Sequence, residues 1–252
     1  LLEINKILPI GEGWLQMCPV CTQDILAIIP AFNEAQTVGD VVLGIKALGW
    51  IDVLVIDDHS HDQTILVGQQ AGAKVISLAS QMGTWIAIQT GFRYALQNNY
   101  SVAVTLDADG QHGPETIPQL IKPVKSDDVD MVIGSYPQRG SFSRHIAWSF
   151  FKRLSMMTYQ DLTSGFKAYN RKAMRLLLQP RAYLFDYQDV GTLLLLKRFG
   201  LRVQELPVLM NLRQYGHSRI FSSWMKVFRY MLVTSVLCVC KWNQQSLQDW
   251  DV

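Results

Sequence analysis

The chain has 252 residues and a mass of 28.6 kDa, enough for one large domain or a domain with an appended subdomain. Hydrophobic residues make up 49% and charged residues only 17%, against about 25% charged in an average globular protein, so core material is ample. A net charge of +2 without a long basic run argues against nucleic acid as a partner.

Residues 1–24 show little periodicity, broken by Gly11, Gly13 and Pro19, and read as an N-terminal extension. Within them Cys18-Pro-Val-Cys21 has the spacing of a zinc or redox pair, and Cys238 and Cys240 could supply two further ligands. No histidine neighbours either pair, and the second lies in an apolar helical stretch where small buried cysteines are ordinary. The first 25 residues lack a basic start followed by an apolar run. With unpatterned cysteines, that favours a reducing, cytosolic setting.

From residue 25 a repeated unit begins. Ile25 to Ile29 is a continuous apolar run, followed by P-A-F-N-E and a helical pattern through Val38, Val41, Val42, Ile45 and Leu48. Val53 to Ile56 is a second run, ending in Asp57 and Asp58, with a helix reaching Ala71. Val75 to Leu78 is a third, followed by a helix from about Trp85 to Asn98. Val102 to Leu106 is a fourth, emptying into Asp107 and Asp109, and Met131 to Ile133 is a fifth. Apolar runs alternating with amphipathic helices predict an α/β fold: a mostly parallel sheet flanked by helices on both faces. Right-handed crossovers place every strand's C-terminal end on one edge, where ligands of such sheets bind. Asn33, Glu34, Asp57, Asp58, Asp107 and Asp109 are therefore expected along one rim.

The second half is less regular. Ser143 to Met157 looks helical, Arg171 to Leu178 and about Asp189 to Phe199 read as helices, and Leu201 to Met210 is extended. A polar loop from Asn211 to Arg219 ends a domain spanning 25–220. Residues 221–252 form a C-terminal amphipathic helix and tail. The uncharged stretch between Arg229 and Lys241 is shorter than the roughly 20 residues a membrane span needs. With Lys226, Arg229 and Lys241 beside Trp224, Phe228 and Tyr230, the helix suits either a membrane surface or packing on the domain.

Three constellations carry chemistry. Asp107-Ala-Asp109 at a strand end presents two carboxylates, whose repulsion a hard divalent cation such as Mg²⁺ or Mn²⁺ would relieve. Gln111 offers a carbonyl oxygen and His112 a nitrogen. Taken alone, such a pair is more often a solvated turn; an EF-hand is excluded, because the glycine it requires is not at 112. In Asp57-Asp-His-Ser-His-Asp62, helix capping accounts for Ser60 or Asp62 but not for two acids at the strand terminus. Arg213 and Arg219, six apart around Gly216, suit a diphosphate, although charge alone reads as a solvated loop.

Together these segments resemble the family 2 glycosyltransferases of GT-A fold (the Rossmann-like nucleotide-diphospho-sugar transferases), and most closely their dolichol-phosphate-mannose-synthase-like, polyprenyl-phosphate branch. The carriers are Ile29-Pro-Ala-Phe-Asn-Glu34, Val55-Ile-Asp-Asp-His-Ser60, Gln89-Thr-Gly-Phe-Arg-Tyr94, Leu106-Asp-Ala-Asp-Gly-Gln-His112, Leu162-Thr-Ser-Gly-Phe-Lys-Ala-Tyr-Asn170 and Glu205-Leu-Pro207 with the arginine loop. Each is weak alone; their order and spacing from about residue 25 to 220 make the resemblance specific. It implies that Pro30, Phe32, Glu34, Asp57 and Asp58 hold the base and ribose of a nucleotide-sugar. Asp107, Asp109 and Gln111 would sit at the metal and diphosphate, Arg213 and Arg219 would bind donor phosphates, and Asp161 to Phe166, with Ser164, would line the acceptor side. Two positions depart from the family pattern: Trp85 stands where glycine is common, and Tyr136 follows Gly134-Ser135 where a basic residue is common, a place Arg139 or Arg144 could fill.

The expected reaction is inverting, metal-dependent transfer of a hexose from a nucleoside-diphosphate sugar. A polyprenyl-phosphate acceptor is already anionic and needs no general base; a hydroxyl acceptor needs one, and Asp189 is the candidate. Such an acceptor places the protein peripherally on the cytosolic face of a membrane. Two alternatives stand beside this: a haloacid-dehalogenase-type phosphatase, whose D-x-D lies on the first strand, and a degenerate, non-catalytic nucleotide-sugar-binding protein.

Overall fold

Successive side chains of a strand point to opposite faces, so apolar runs with no polar alternation must be covered on both sides. The computed structural model describes residues 24–136, 159–161, 164–182, 190–210, 232, 235 and 236. Its strands are β1 (Ile25–Ala31), β2 (Asp52–Asp57), β3 (Lys74–Ser77), β4 (Val102–Thr105), β5 (Met131–Ser135), β6 (Lys167–Asn170) and β7 (Val203–Pro207). The helices are α1 (Val38–Lys46), α2 (Thr64–Gln70), α3 (Thr84–Gln97), α4 (Ile117–Lys125), α5 (Arg171–Leu177) and α6 (Val190–Arg198).

Leu26, Ile28, Leu54, Ile56, Ala103 and Ile133 turn to one face, where they pack with Trp85 and Phe92 of α3, Met174 of α5 and Leu193 and Leu196 of α6. Their strand neighbours Ala27, Ile29, Val53, Val55, Val104 and Val132 turn to the other, against Val38, Val42 and Ile45 of α1 and Ile117, Leu120 and Ile121 of α4. Each fully buried side chain of this size contributes about 1.5–3 kcal/mol of transfer free energy, most of it offset by the cost of ordering the chain. On α1 the buried positions Val38, Val41, Val42 and Ile45 follow the helical repeat. Close approach of α3 to β1 depends on Gly91, where a Cβ would lie 2.5 Å from Cγ2 of Ile28.

The seven strands lie in the order β3-β2-β1-β4-β6-β5-β7. The first four run parallel, β7 runs parallel to β5, and β6 is antiparallel to both β4 and β5. The mostly parallel sheet is as expected. A strand at Lys167–Asn170 is not, and it separates β4 from β5. K-A-Y-N is short, begins with a lysine and follows a segment read as acceptor loop, so no apolar run marks it; yet all four residues are buried or nearly so.

Strand order reverses between β1 and β4, which opens a crevice at their C-terminal ends. The β1–β4 ladder closes there for a covalent reason. Ile28 O accepts from Leu106 N at 3.3 Å, and the next N–H on that side belongs to residue 30, a proline with none to give.

The helix expected over 143–157, the loop 211–219, the four cysteines and nearly all of the tail lie outside the described residues. Among the described residues no helix is long and apolar enough to cross a membrane.

Candidate active site

At the C-terminal end of β4 the chain turns through Asp107-Ala-Asp-Gly-Gln-His112. Ala108 is buried in the apolar cluster beneath the α1/α4 layer, so the middle residue of D-x-D points inward as the motif requires. Gly110 makes the turn at φ 75°, where an L side chain is strained. Asp109 is buried, and its Oδ1 accepts the Gln111 N–H at 3.1 Å, closing an Asx turn. The Asp107 side chain keeps 36% exposure and meets Nε2 of the fully buried His112 side chain at 3.3 Å. Behind Asp107 runs the backbone of Gly165, where a Cβ would stand 2.5 Å from Oδ1. Thr105 Oγ1 donates to Gly165 O at 2.8 Å and secures that approach.

These residues fit a hard divalent cation. The donor set is all oxygen, and the missing Cβ of Gly165 leaves the Asp107 carboxylate the room it occupies. Among the described residues no group of three or more His, Cys, Asp or Glu side chains could hold a metal ion, so these side chains do not complete a coordination shell by themselves.

On one side of this turn lie the ends of β1 and β2, registered Ala31 against Asp57. Pro30 is half-buried and Phe32, just past the strand, sets its ring edge-on to His61 at 6.4 Å. The two acids at the C-terminal end of β2, Asp57 within it and Asp58 just past it, part company. Asp57 is buried and takes Ser77 Oγ at 2.8 Å and Ser60 N at 3.3 Å. Asp58 receives the N–H groups of Met82 at 2.7 Å and Gly83 at 2.9 Å, so it holds the entry to α3. The β1–α1 and β2–α2 loops are laced together: Asn33 N donates to Ser60 Oγ (2.9 Å), His61 N to Asn33 Oδ1 (2.8 Å) and Glu34 N to Thr64 Oγ1 (2.8 Å). Ser60 therefore bonds across loops rather than capping its helix. Asp62 takes the Thr64 N–H at 3.0 Å; burial pushes its carboxyl up, but the bonds from Thr64 and Ala35 outweigh this and hold it below the ordinary range.

On the other side lie β6, β5 and β7. Asp161 is fully buried; its N–H donates to Glu205 Oε1 at 2.8 Å, and Tyr136 N donates to its Oδ2 at 3.5 Å. Gln160 N also donates to Glu205, at 2.8 Å. Burial, and then the Glu205 charge, push the nearby Tyr159 phenol up. The Ser164 hydroxyl, fully buried, donates to Gly134 O and accepts from Phe166 N at 3.3 Å. It serves the end of β5 rather than facing outward. Past β7, Met210 bridges to His112 in an isolated antiparallel pair, which sets Met210 beside the acid turn.

The structure thus brings Pro30, Phe32, Glu34, Asp57, Asp58, Asp107, Asp109, Gln111, Asp161 and Ser164 to one edge of the sheet. Asp189, Arg213 and Arg219 lie outside the described residues. Sequence reading missed Gly165 and Glu205 as supports of the site. Both stood in the family-like motifs, yet a glycine's close approach and a carboxylate's grip on two amides depend on contacts across 44 residues or more. It also singled out Trp85. That indole is 2% exposed, donates from Nε1 to Ala182 O at 2.8 Å and stacks edge-on to Phe92 at 6.4 Å. It is a core residue.

Known proteins resemble this chain in sequence and in fold. The glycosyl transferase family 2 model matches residues 26–178. An undecaprenyl-phosphate mannosyltransferase of Micrococcus luteus is 29% identical over 216 residues, 78% of this chain and 87% of that one. A UDP-N-acetylglucosamine–dolichyl-phosphate N-acetylglucosaminyltransferase of Methanococcus voltae is 26% identical over 225 residues, 77% and 88% of the two chains. The fold matches glucosyl-3-phosphoglycerate synthase from Mycobacterium tuberculosis, solved with Mn²⁺, uridine diphosphate and phosphoglyceric acid, at a TM-score of 0.69 and 20% identity over 85% of this chain and 78% of that one. A GT-A sheet, an acid turn at its switch point and a family match across well over half its length lead to one conclusion: the chain belongs to glycosyl transferase family 2.

Proposed function

We propose that the protein transfers a hexose from a nucleoside-diphosphate sugar to a polyprenyl phosphate, inverting the anomeric carbon. The observation that carries this reading is the packing of the Asp107 carboxylate against Gly165, which joins the β4 acid turn to the D-L-T-S-G-F segment. Strand order adds support. The loops after β1 and β2 lie on one side of the turn and those around β6, β5 and β7 on the other, so donor and acceptor would approach the anomeric carbon from opposite sides. Relatives named for undecaprenyl and dolichyl phosphate support the acceptor class. They differ in the sugar named, so neither donor is carried over.

Phe32 and Glu34 would border the base and ribose, while Asp57 and Asp58 hold the turns that shape that pocket. Asp107, Asp109 and Gln111 would hold Mg²⁺ or Mn²⁺, which when bound supplies Lewis-acid neutralisation of the leaving diphosphate. Arg213 and Arg219 would add fixed positive charge there. Asp161 and Ser164, with Glu205 behind them, shape the acceptor side. A phosphate acceptor is its own nucleophile; Asp189 would serve as base only for a hydroxyl. In this reading residues 25–220 form the transferase domain, and the 221–252 tail, with Lys226, Arg229 and Lys241, rests peripherally on the cytosolic face of the membrane that carries the acceptor. The phosphatase alternative falls with the family match, and its D-x-D would stand on the first strand rather than on β4.

Incubation with a polyprenyl phosphate and a panel of UDP- and GDP-sugars, read by mass spectrometry, tests the proposal. The expected product is a singly glycosylated lipid phosphate, formed with release of the nucleoside diphosphate. Transfer only to hydroxyl acceptors would overturn the acceptor assignment.

A further inference from the structure

The acid turn carries one buried imidazole that the reaction above does not use. His112 has a side chain with no exposure. Its ring lies 4.9 Å from that of Phe166 at an interplanar angle of 36°, and Phe166 is itself fully buried. Its backbone is pinned by the bridge to Met210. Nε2 faces Asp107 Oδ2 at 3.3 Å, while Nδ1 is buried without a hydrogen-bond partner. An ionised carboxylate accepts hydrogen bonds and cannot donate one, so Nε2 carries the proton that faces Asp107.

We infer that His112 is a positioning residue for Asp107, holding the carboxylate plane so that its oxygens meet a divalent cation preorganised. The inference rests on the proposed cation seat and goes beyond it by naming what orients that seat. Asp107 is the outward-facing acid of the pair. With its side chain a third exposed, it would otherwise lose rotamer freedom on each binding event. Gly165 bounds the carboxylate on one side and a donor that cannot itself turn bounds it on another. The tilted ring contact with Phe166 and the Met210 bridge hold that donor in place. Partners of this kind typically contribute 10–100-fold to metal affinity when removed and tested.

The test uses the full chain and Mn²⁺ alone as probe. Free Mn²⁺ is counted by electron paramagnetic resonance for wild type, Asp107→Asn, His112→Asn and His112→Gln, with circular dichroism to confirm folding. Glutamine can reach the place of Nε2 with an N–H; asparagine, one methylene shorter, cannot. The expected result is about a tenfold or greater loss of Mn²⁺ affinity in His112→Asn and recovery to within about threefold of wild type in His112→Gln. Equal affinity of wild type and His112→Asn, with Asp107→Asn impaired, overturns the inference and leaves the cation seat standing. Wild-type binding no tighter than Asp107→Asn overturns both. A ¹⁴N coupling to bound Mn²⁺ in the echo-modulation spectrum of wild type makes His112 a ligand and overturns the positioning role.

Discussion

Gly165 lies so close to Asp107 that a Cβ on the glycine would stand 2.5 Å from one carboxylate oxygen and 2.8 Å from the other. No strained backbone angle demands glycine there, because φ at residue 165 is not positive; it is the carboxylate that a side chain would meet first. Gly165→Ala is therefore expected to fold with a stability change of about 1–3 kcal/mol, the usual range for overpacking, while displacing Asp107. Transfer activity should fall by at least about tenfold, the cost of roughly 1.4 kcal/mol in the barrier. Initial rates beside a thermal melt separate the two effects.

Glu205 holds the Gln160 and Asp161 amides with one carboxylate. Hydrogen bonds to a charged group contribute about 1.5–3 kcal/mol each. Glu205→Ala should raise KM for the acceptor more than for the donor, since only the 160–161 segment loses its anchor. Glu205→Gln, which keeps acceptor oxygen at one position, should recover part of the loss. Steady-state kinetics with each substrate varied in turn reads the difference.

Trp85 anchors the Ala182 turn from inside the core. Trp85→Phe leaves the Ala182 carbonyl without that donor and should cost about 1–3 kcal/mol; Trp85→Ala should cost about 3–5 kcal/mol. Neither should change which nucleotide-sugar is bound. Urea unfolding and a donor-competition assay check the two halves of this prediction.

At the opposite edge of the sheet, burial pushes the Asp130 carboxyl up. The Arg202 backbone N–H, the Asn170 amide and the Arg202 and Lys172 charges outweigh it and hold the group below the ordinary range. A depressed carboxyl contributes stability in full above its unfolded value of about 3.9 and loses it as pH falls through the lower folded value. Asp130→Asn should be less stable than wild type at pH 7, and the gap should narrow below about pH 3.9. Urea midpoints at pH 7 and pH 3 measure it.

Much of this site was legible in the chain because parallel strands buried on both faces leave an unbroken apolar signal ending at a polar turn. Asp57, Asp58, Asp107 and Asp109 could be placed on one rim from that signal and right-handed crossovers alone. β6 was not legible: Lys167-Ala-Tyr-Asn170 has no apolar run, and its burial comes from being inserted between β4 and β5. Nor could sequence divide the work of Asp57 and Asp58. Only the fold shows that Asp58 grips Met82 and Gly83 while Asp57 ties β3 to the His59–Ser60 turn.

The claim on which the rest depends is that the acid turn after β4 seats a divalent cation together with a nucleotide-sugar. Thermal stabilisation by a panel of nucleotide-sugars, each with and without Mn²⁺, tests it directly. The account predicts that at least one donor raises the melting temperature only when Mn²⁺ is present, and that Asp109→Ala abolishes the shift. Stabilisation by no donor, or a shift of equal size without the metal or in Asp109→Ala, would contradict it.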